Sequence, residues 1–197
     1  MNQDAFKDIP ANMIPVMKGV MIFAFFVFDV IYFLYIKNLF DLVKLVSPIN
    51  RRIAPSKIWL LLISFVSMVA IIPLFATKEL PKLYENIIDS IGVVTQIFML
   101  IFTFYMVNKI SESLDAELKS RRVSDDPKPT WSIGVFMCIC NTTSLLAGVK
   151  YVAIIGILGS LIGLVAWIMY WVKTHEYRKR LESLPPATST LNDLGIF

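Results

Sequence analysis

TWSIGVFMCICNTTSLLAGV (130–149), Lys150, then YVAIIGILGSLIGLVAWIMYWV (151–172): two apolar runs of 20 and 22 residues are separated by one charge. A helix rises about 1.5 Å per residue, so about 20 apolar residues cross a hydrocarbon core about 30 Å thick. Both runs are long enough. The stretch Ala147-Gly148-Val149-Lys150 must then turn tightly, and Gly148 can take the positive φ that such turns often require. The pair reads as a transmembrane hairpin.

Three more windows lie upstream. Residues 19–36 carry one charge, Asp29, while 58–77 and 90–108 carry none. The whole chain is 56% hydrophobic and 17% charged, with a mean hydropathy of +0.66. A soluble domain is nearer about 45–50% apolar and about 25% charged. Eight Gly, ten Pro and two Cys exclude a fibrous repeat, a disordered chain and a disulfide scaffold. The expected fold is an all-α integral membrane protein, a bundle of five transmembrane helices. A re-entrant pair is the alternative for the second and third. The expected organisation is an extracytoplasmic segment at 1–16, a bundle at 17–182 and a flexible cytoplasmic tail at 183–197. The first window reads as a retained helix, since Asp4 and Asp8 oppose Lys7 upstream and no small-residue cleavage site follows.

Charge sets the orientation. With the N-terminus outside, the inner loops hold 14 Lys and Arg (37, 44, 51, 52, 57, 109, 119, 121, 122, 128, 173, 178, 179, 180) and the outer ones 5 (7, 18, 78, 82, 150). Basic residues concentrate on the cytoplasmic side of membrane proteins, which predicts N-out, C-in. Trp59, Trp131, Trp171 and Tyr170 fall at the same ends, as an interfacial belt would. The net charge of +4 is thus a topology signal, and nucleic acid is not an expected partner.

Three helices are expected to continue past the membrane. Leu39, Phe40, Val43 and Val46 recur at helical spacing up to Ser47-Pro48. Ile110, Leu114 and Leu118 mark one face of 109–119, with Glu112, Asp115 and Glu117 placed off it; Tyr177 and Leu181 extend the fifth helix. Together they predict short cytoplasmic extensions packed as a cap.

Chemistry is sparse. His175 is the single histidine, just past the last span, and reads as a solvated interfacial residue. Cys138 and Cys140, two apart on a helix, point to different faces and read as small hydrophobes. No catalytic, cofactor-binding or metal-binding residue is expected, and no cofactor. Asp29 is the one ionisable group deep in a span. Depth arithmetic places Asp29, Ser67 and Asn141 in one intramembrane polar layer, with Gln96 at its edge. Gly156, Gly159, Ser160 and Gly163 give the fifth helix a small-residue face, with G-x-x-x-G at 159–163 expected to seat it against the fourth. Arg51 and Arg52 read as a topogenic anchor or an anionic-headgroup contact.

Asn50-Arg51-Arg52-Ile53-Ala54-Pro55 with Trp59-Leu60-Leu61-Leu62-Ile63, Asn108-Lys109-Ile110-Ser111-Glu112-Ser113-Leu114, and Trp167-Ile168-Met169-Tyr170-Trp171-Val172-Lys173 carry a likeness. On these motifs the chain, over roughly residues 39–181, resembles a family of uncharacterised bacterial multi-pass inner-membrane proteins. The resemblance implies a bacterial cytoplasmic-membrane setting and no catalytic residues. Between about 73 and 91 the chain is longer than the family pattern, so the crossings there are the least defined. The expected function is a non-enzymatic membrane scaffold or accessory subunit, with the bilayer and protein partners or self-association within it. The alternative is a small transporter or pore component using the Asp29 carboxylate.

Overall fold

The computed structural model describes residues 13–63, 82–123, 128–143 and 153–185. Among these residues all regular structure is helical: α1 (Met13–Leu45), a 3-10 helix (Pro55–Leu61), α2 (Lys82–Ser120), α3 (Trp131–Thr143) and α4 (Ala153–Ser183). The chain divides into two compact units, Met1–Tyr35 and Ile36–Phe197.

In the first unit, the helical residues described up to Tyr35 are rich in aromatic rings. Phe28 and Tyr32 stack at 6.3 Å, and Tyr32 meets Tyr35 at 6.0 Å, the i to i+4 and i to i+3 spacings that place side chains on one face. Val20, Phe23, Phe26 and Leu34 are exposed.

In the second unit, α2 has 39 residues and α4 has 31. At 1.5 Å per residue these are about 58 Å and about 46 Å long, well beyond a hydrocarbon core of about 30 Å. Residues 93–120 and 154–183 of these two helices are long and apolar enough to cross a membrane, and α3 is a shorter apolar helix. Helix α3 packs mainly on α4 and also on α2, and the 3-10 helix touches α2.

The core is a set of stripes at helical spacing. Buried residues include Leu39, Val43 and Val46 on α1, Ile110, Leu114 and Leu118 on α2, and Ala166, Tyr170, Tyr177 and Leu181 on α4. The expected extensions are therefore continuous helix with buried apolar faces. Tyr170 is a correction: placed in an interfacial belt from the sequence, it is fully buried. It lies beside Gly134, where a Cβ would come within 2.9 Å of its ring and closer still to Val107. Only a glycine lets α3 approach α2 and α4 there.

Three terminations have local causes. Pro48 disfavours helical backbone at Ser47, so α1 stops before it. At the end of α2, Arg122 takes φ 56 while its N–H bonds Lys119 O at 3.0 Å and the Val123 N–H bonds Leu118 O at 3.0 Å. That is a Schellman ending with a non-glycine in the left-handed position. Pro55 opens the 3-10 helix, so the second apolar window begins with a 3-10 segment rather than an α-helix. Its remainder, and the 147–150 turn, lie outside the described residues.

Candidate functional site

Polar chemistry in the second unit gathers where α1, α2 and α4 end. Glu117 is the main correction to the sequence reading: placed off the apolar face of α2, it is 0% exposed. Its Oε2 accepts from the Ser47 N–H at 3.0 Å, the Ser47 hydroxyl and Asn50 Nδ2 at 2.8 Å. Its Oε1 accepts from Arg121 Nε at 2.9 Å and Nη2 at 2.7 Å. Burial alone would raise the Glu117 pKa, but the donors from Ser47, Asn50 and Arg121 outweigh it and hold the carboxyl below its ordinary value.

Arg121 then reaches α4. Its Nη1 donates to the carbonyls of Leu181 at 3.1 Å, Leu184 at 3.3 Å and Pro185 at 3.1 Å. These are carbonyls that a helix end leaves without internal partners, at the negative end of its dipole. Arg51 does the same for α1: Nε donates to Val43 O at 3.1 Å, and Nη2 to Lys44 O at 3.0 Å and Val46 O at 2.8 Å. Its guanidinium is thus turned onto the end of α1, and of the sequence-assigned pair Arg51 and Arg52 it is Arg52 whose side chain is exposed. The Arg52 N–H is anchored to α2 through Ser113 Oγ at 2.8 Å.

A second cluster joins α1 to α4. Asn38 is buried and donates from Nδ2 to Thr174 Oγ1 at 3.2 Å; Thr174 donates onward to Trp171 O at 2.9 Å. That amide orientation turns Asn38 Oδ1 toward His175 Nδ1 at 3.1 Å, which requires the proton on Nδ1. His175 is therefore half-buried and engaged, rather than solvated as the sequence suggested. Burial, then the charges of Arg178 and Lys179, lower its pKa and favour the neutral ring.

Away from the cap, hydroxyls turn back on their own helices. Thr103 donates to Met99 O, Thr142 to Cys138 O, Thr143 to Cys140 O and Ser160 to Gly156 O, all at 2.7–2.8 Å. This satisfies each group within its own helix. Gly159 and Gly163 do face α3. A Cβ on Gly163 would lie 2.6 Å from Asn141 Oδ1, and one on Gly159 would collide with the Thr143 side chain. Gly156 is buried, whereas Ser160 is exposed. Of the residues assigned to a polar layer, Gln96 and Asn141 are exposed on α2 and α3, Asp29 is half-buried within the first unit, and Ser67 lies outside the described residues.

Cys138 and Cys140 are both free and buried. Among the described residues no group of three or more His, Cys, Asp or Glu side chains is placed to hold a metal ion. Sequence reasoning missed Glu117, Asn38 and the capping role of Arg51. The available signal was the run of Ser47, Asn50 and Arg51 directly after a helix end, residue types that commonly bond backbone and carboxylate groups.

No protein-family model, curated protein or solved structure matches this chain.

Proposed function

We propose that the protein is a non-enzymatic integral membrane scaffold or accessory subunit of a membrane complex. Its setting in this reading is a bacterial cytoplasmic membrane, with five crossings, the N-terminus outside and the cap in the cytoplasm. One observation carries the proposal: the buried Glu117–Arg121 pair at the cap is engaged by groups of the chain itself. Glu117 and Arg121 join the segment after α1 to the end of α4 through Ser47, Asn50 and the carbonyl of Leu181. A reactive centre needs groups directed at a substrate; a rigid cap on apolar helices suits a part that holds other parts in place. The long apolar helices and the likeness to bacterial inner-membrane proteins support the setting.

The test begins with alkaline extraction, in which the protein is expected to stay with the membrane. In a variant without Cys138 and Cys140, cysteine labelling is expected to reach Ser124→Cys from the cytoplasm and Leu80→Cys from outside; labelling of position 80 from the cytoplasm alone would establish the re-entrant pair. Mild detergent purification is expected to recover an integral membrane partner in fixed proportion. A proton or cation flux in proteoliposomes, lost in Asp29→Asn with the fold intact, would replace this reading with the transport one.

A further inference from the structure

The charges at the cap do not cancel. Asp41, Glu112, Asp115, Glu117, Glu176 and Glu182 each sit 2.7–3.6 Å from a Lys or Arg nitrogen. Arg51 and Arg121 are turned onto helix carbonyls. Exposed Lys44, Arg52, Lys57, Arg122, Lys128 and Lys179 form no ion pair among the described residues. Among the described residues, the cap therefore carries surplus positive charge.

Three of these cations belong to one built corner. Lys44 lies in the last turn of α1, and its carbonyl is held by Arg51. Arg52 has its N–H fixed to Ser113, and Lys57 has its N–H on Ala54 O at 3.0 Å inside the 3-10 helix. Just beyond, Trp59 packs on Phe40 of α1 at 5.5 Å, which brings the loop back along the helix. The backbone is thus held while the three charged heads stay exposed. An indole beside exposed Lys and Arg is the side-chain mix found at the level of lipid headgroups.

We propose that this corner binds the headgroups of anionic phospholipids, with Lys44, Arg52 and Lys57 as the contacting cations. Sequence alone pairs Arg51 with Arg52; the structure separates them, one facing inward to the end of α1 and one outward. An anionic lipid is favoured over an acidic protein because the corner adjoins the apolar helices and carries an aromatic pair suited to the interface. The proposal rests on the membrane reading, which alkaline extraction tests separately.

The experiment uses the full-length protein in a neutral detergent, titrated with phosphatidylglycerol or phosphatidylcholine and read as bound lipid by native mass spectrometry. Phosphatidylglycerol is expected to bind in preference. The preference is expected to fade at about 0.5 M salt, where the screening length falls to a few ångströms. Lys44→Gln, Arg52→Gln and Lys57→Gln are each expected to weaken phosphatidylglycerol binding about fivefold, and the triple variant correspondingly more. The charge-keeping set Lys44→Arg, Arg52→Lys, Lys57→Arg should retain it, as should Lys119→Gln, whose cation is already paired with Asp115. Equal affinity for the two lipids, wild-type affinity in all three single variants, or a loss as large in Lys119→Gln would overturn the proposal. Since each single variant is read separately, misfolding of the triple leaves the outcome decided.

Discussion

Helix α2 lives in two surroundings. Along 106–118 it buries Met106, Val107, Ile110, Leu114 and Leu118, and it carries Glu117 into the interior with them. Along 93–104 it exposes Val93, Val94, Ile97, Phe98, Ile101 and Phe104. Helix α4 repeats the contrast, exposing Ile154, Ile155, Leu158 and Leu161 but burying Tyr170, Thr174, Tyr177 and Leu181. The charged end is built like the interior of a soluble protein, with apolar stripes packed and the buried Glu117 carboxylate bonded on both oxygens. The other end turns the hydroxyls of Thr103, Thr142, Thr143 and Ser160 onto its own backbone and leaves its apolar side chains outward. Interactions at the first end are therefore expected to be strong and specific, and those at the second to depend on close backbone approach.

The largest effect should come from the cap. Glu117→Ala leaves the nearly buried Arg121 and the donors of Ser47 and Asn50 without their acceptor, and breaking one side of a buried pair costs about 3–5 kcal/mol. Denaturation in detergent should show that loss, and Arg121→Ala combined with it should cost less than the two separately. A change below about 1 kcal/mol would mean the cap is no tighter than the surface.

Acid tests the same network. The Glu117 pKa is lowered in the folded chain, so its contribution is present above the ordinary carboxylate value and lost as pH falls through the folded one. Melting followed by circular dichroism should be steady from about pH 6 to 8 and should fall below about pH 4.5, with the acid loss reduced in Glu117→Gln.

Packed glycines are the sensitive points at both ends: Gly134 beside Val107 and Tyr170, Gly159 and Gly163 beside Thr143 and Asn141. Gly134→Ala, Gly159→Leu and Gly163→Leu place atoms where Val107, Thr143 and Asn141 already lie, and overpacking costs about 1–3 kcal/mol. Gly19 has nothing within 4 Å of an added Cβ, so Gly19→Ala should leave melting unchanged or raise it by up to about 1 kcal/mol through helix propensity. Equal responses from Gly19 and Gly159 would erase the distinction between a packed and an open face.

The smallest effects belong to exposed pairs at the cap. Lys37→Gln and Lys119→Gln remove i, i+4 partners of Asp41 and Asp115, each worth about 0.3–0.5 kcal/mol and diminishing with salt. A larger loss would show that these lysines do more than decorate a helix.

Helix identity and the stripes of the core were legible in the sequence, because spacing along one helix is a local property. Leu39, Val43, Ile110, Leu114 and Leu181 recur at three- and four-residue intervals, and each is buried. The small face at Gly159 and Gly163 was legible for the same reason, since a missing Cβ marks a place where backbones can meet. Tertiary structure decided the fate of the polar residues. Glu117 lies seven residues after Ile110 and three after Leu114, so its position falls on the buried stripe, and it is the charge that argues for placing it outward. What makes it buried is the arrival of Ser47 and Asn50 from 70 and 67 residues away, together with Arg121 one turn on. Arg51 and Arg52 are adjacent identical residues, and only the nearby end of α1 makes one a cap and leaves the other exposed. Burying a charge is favourable only when its partners are already in place, and partners so distant in sequence are supplied by the folded chain alone.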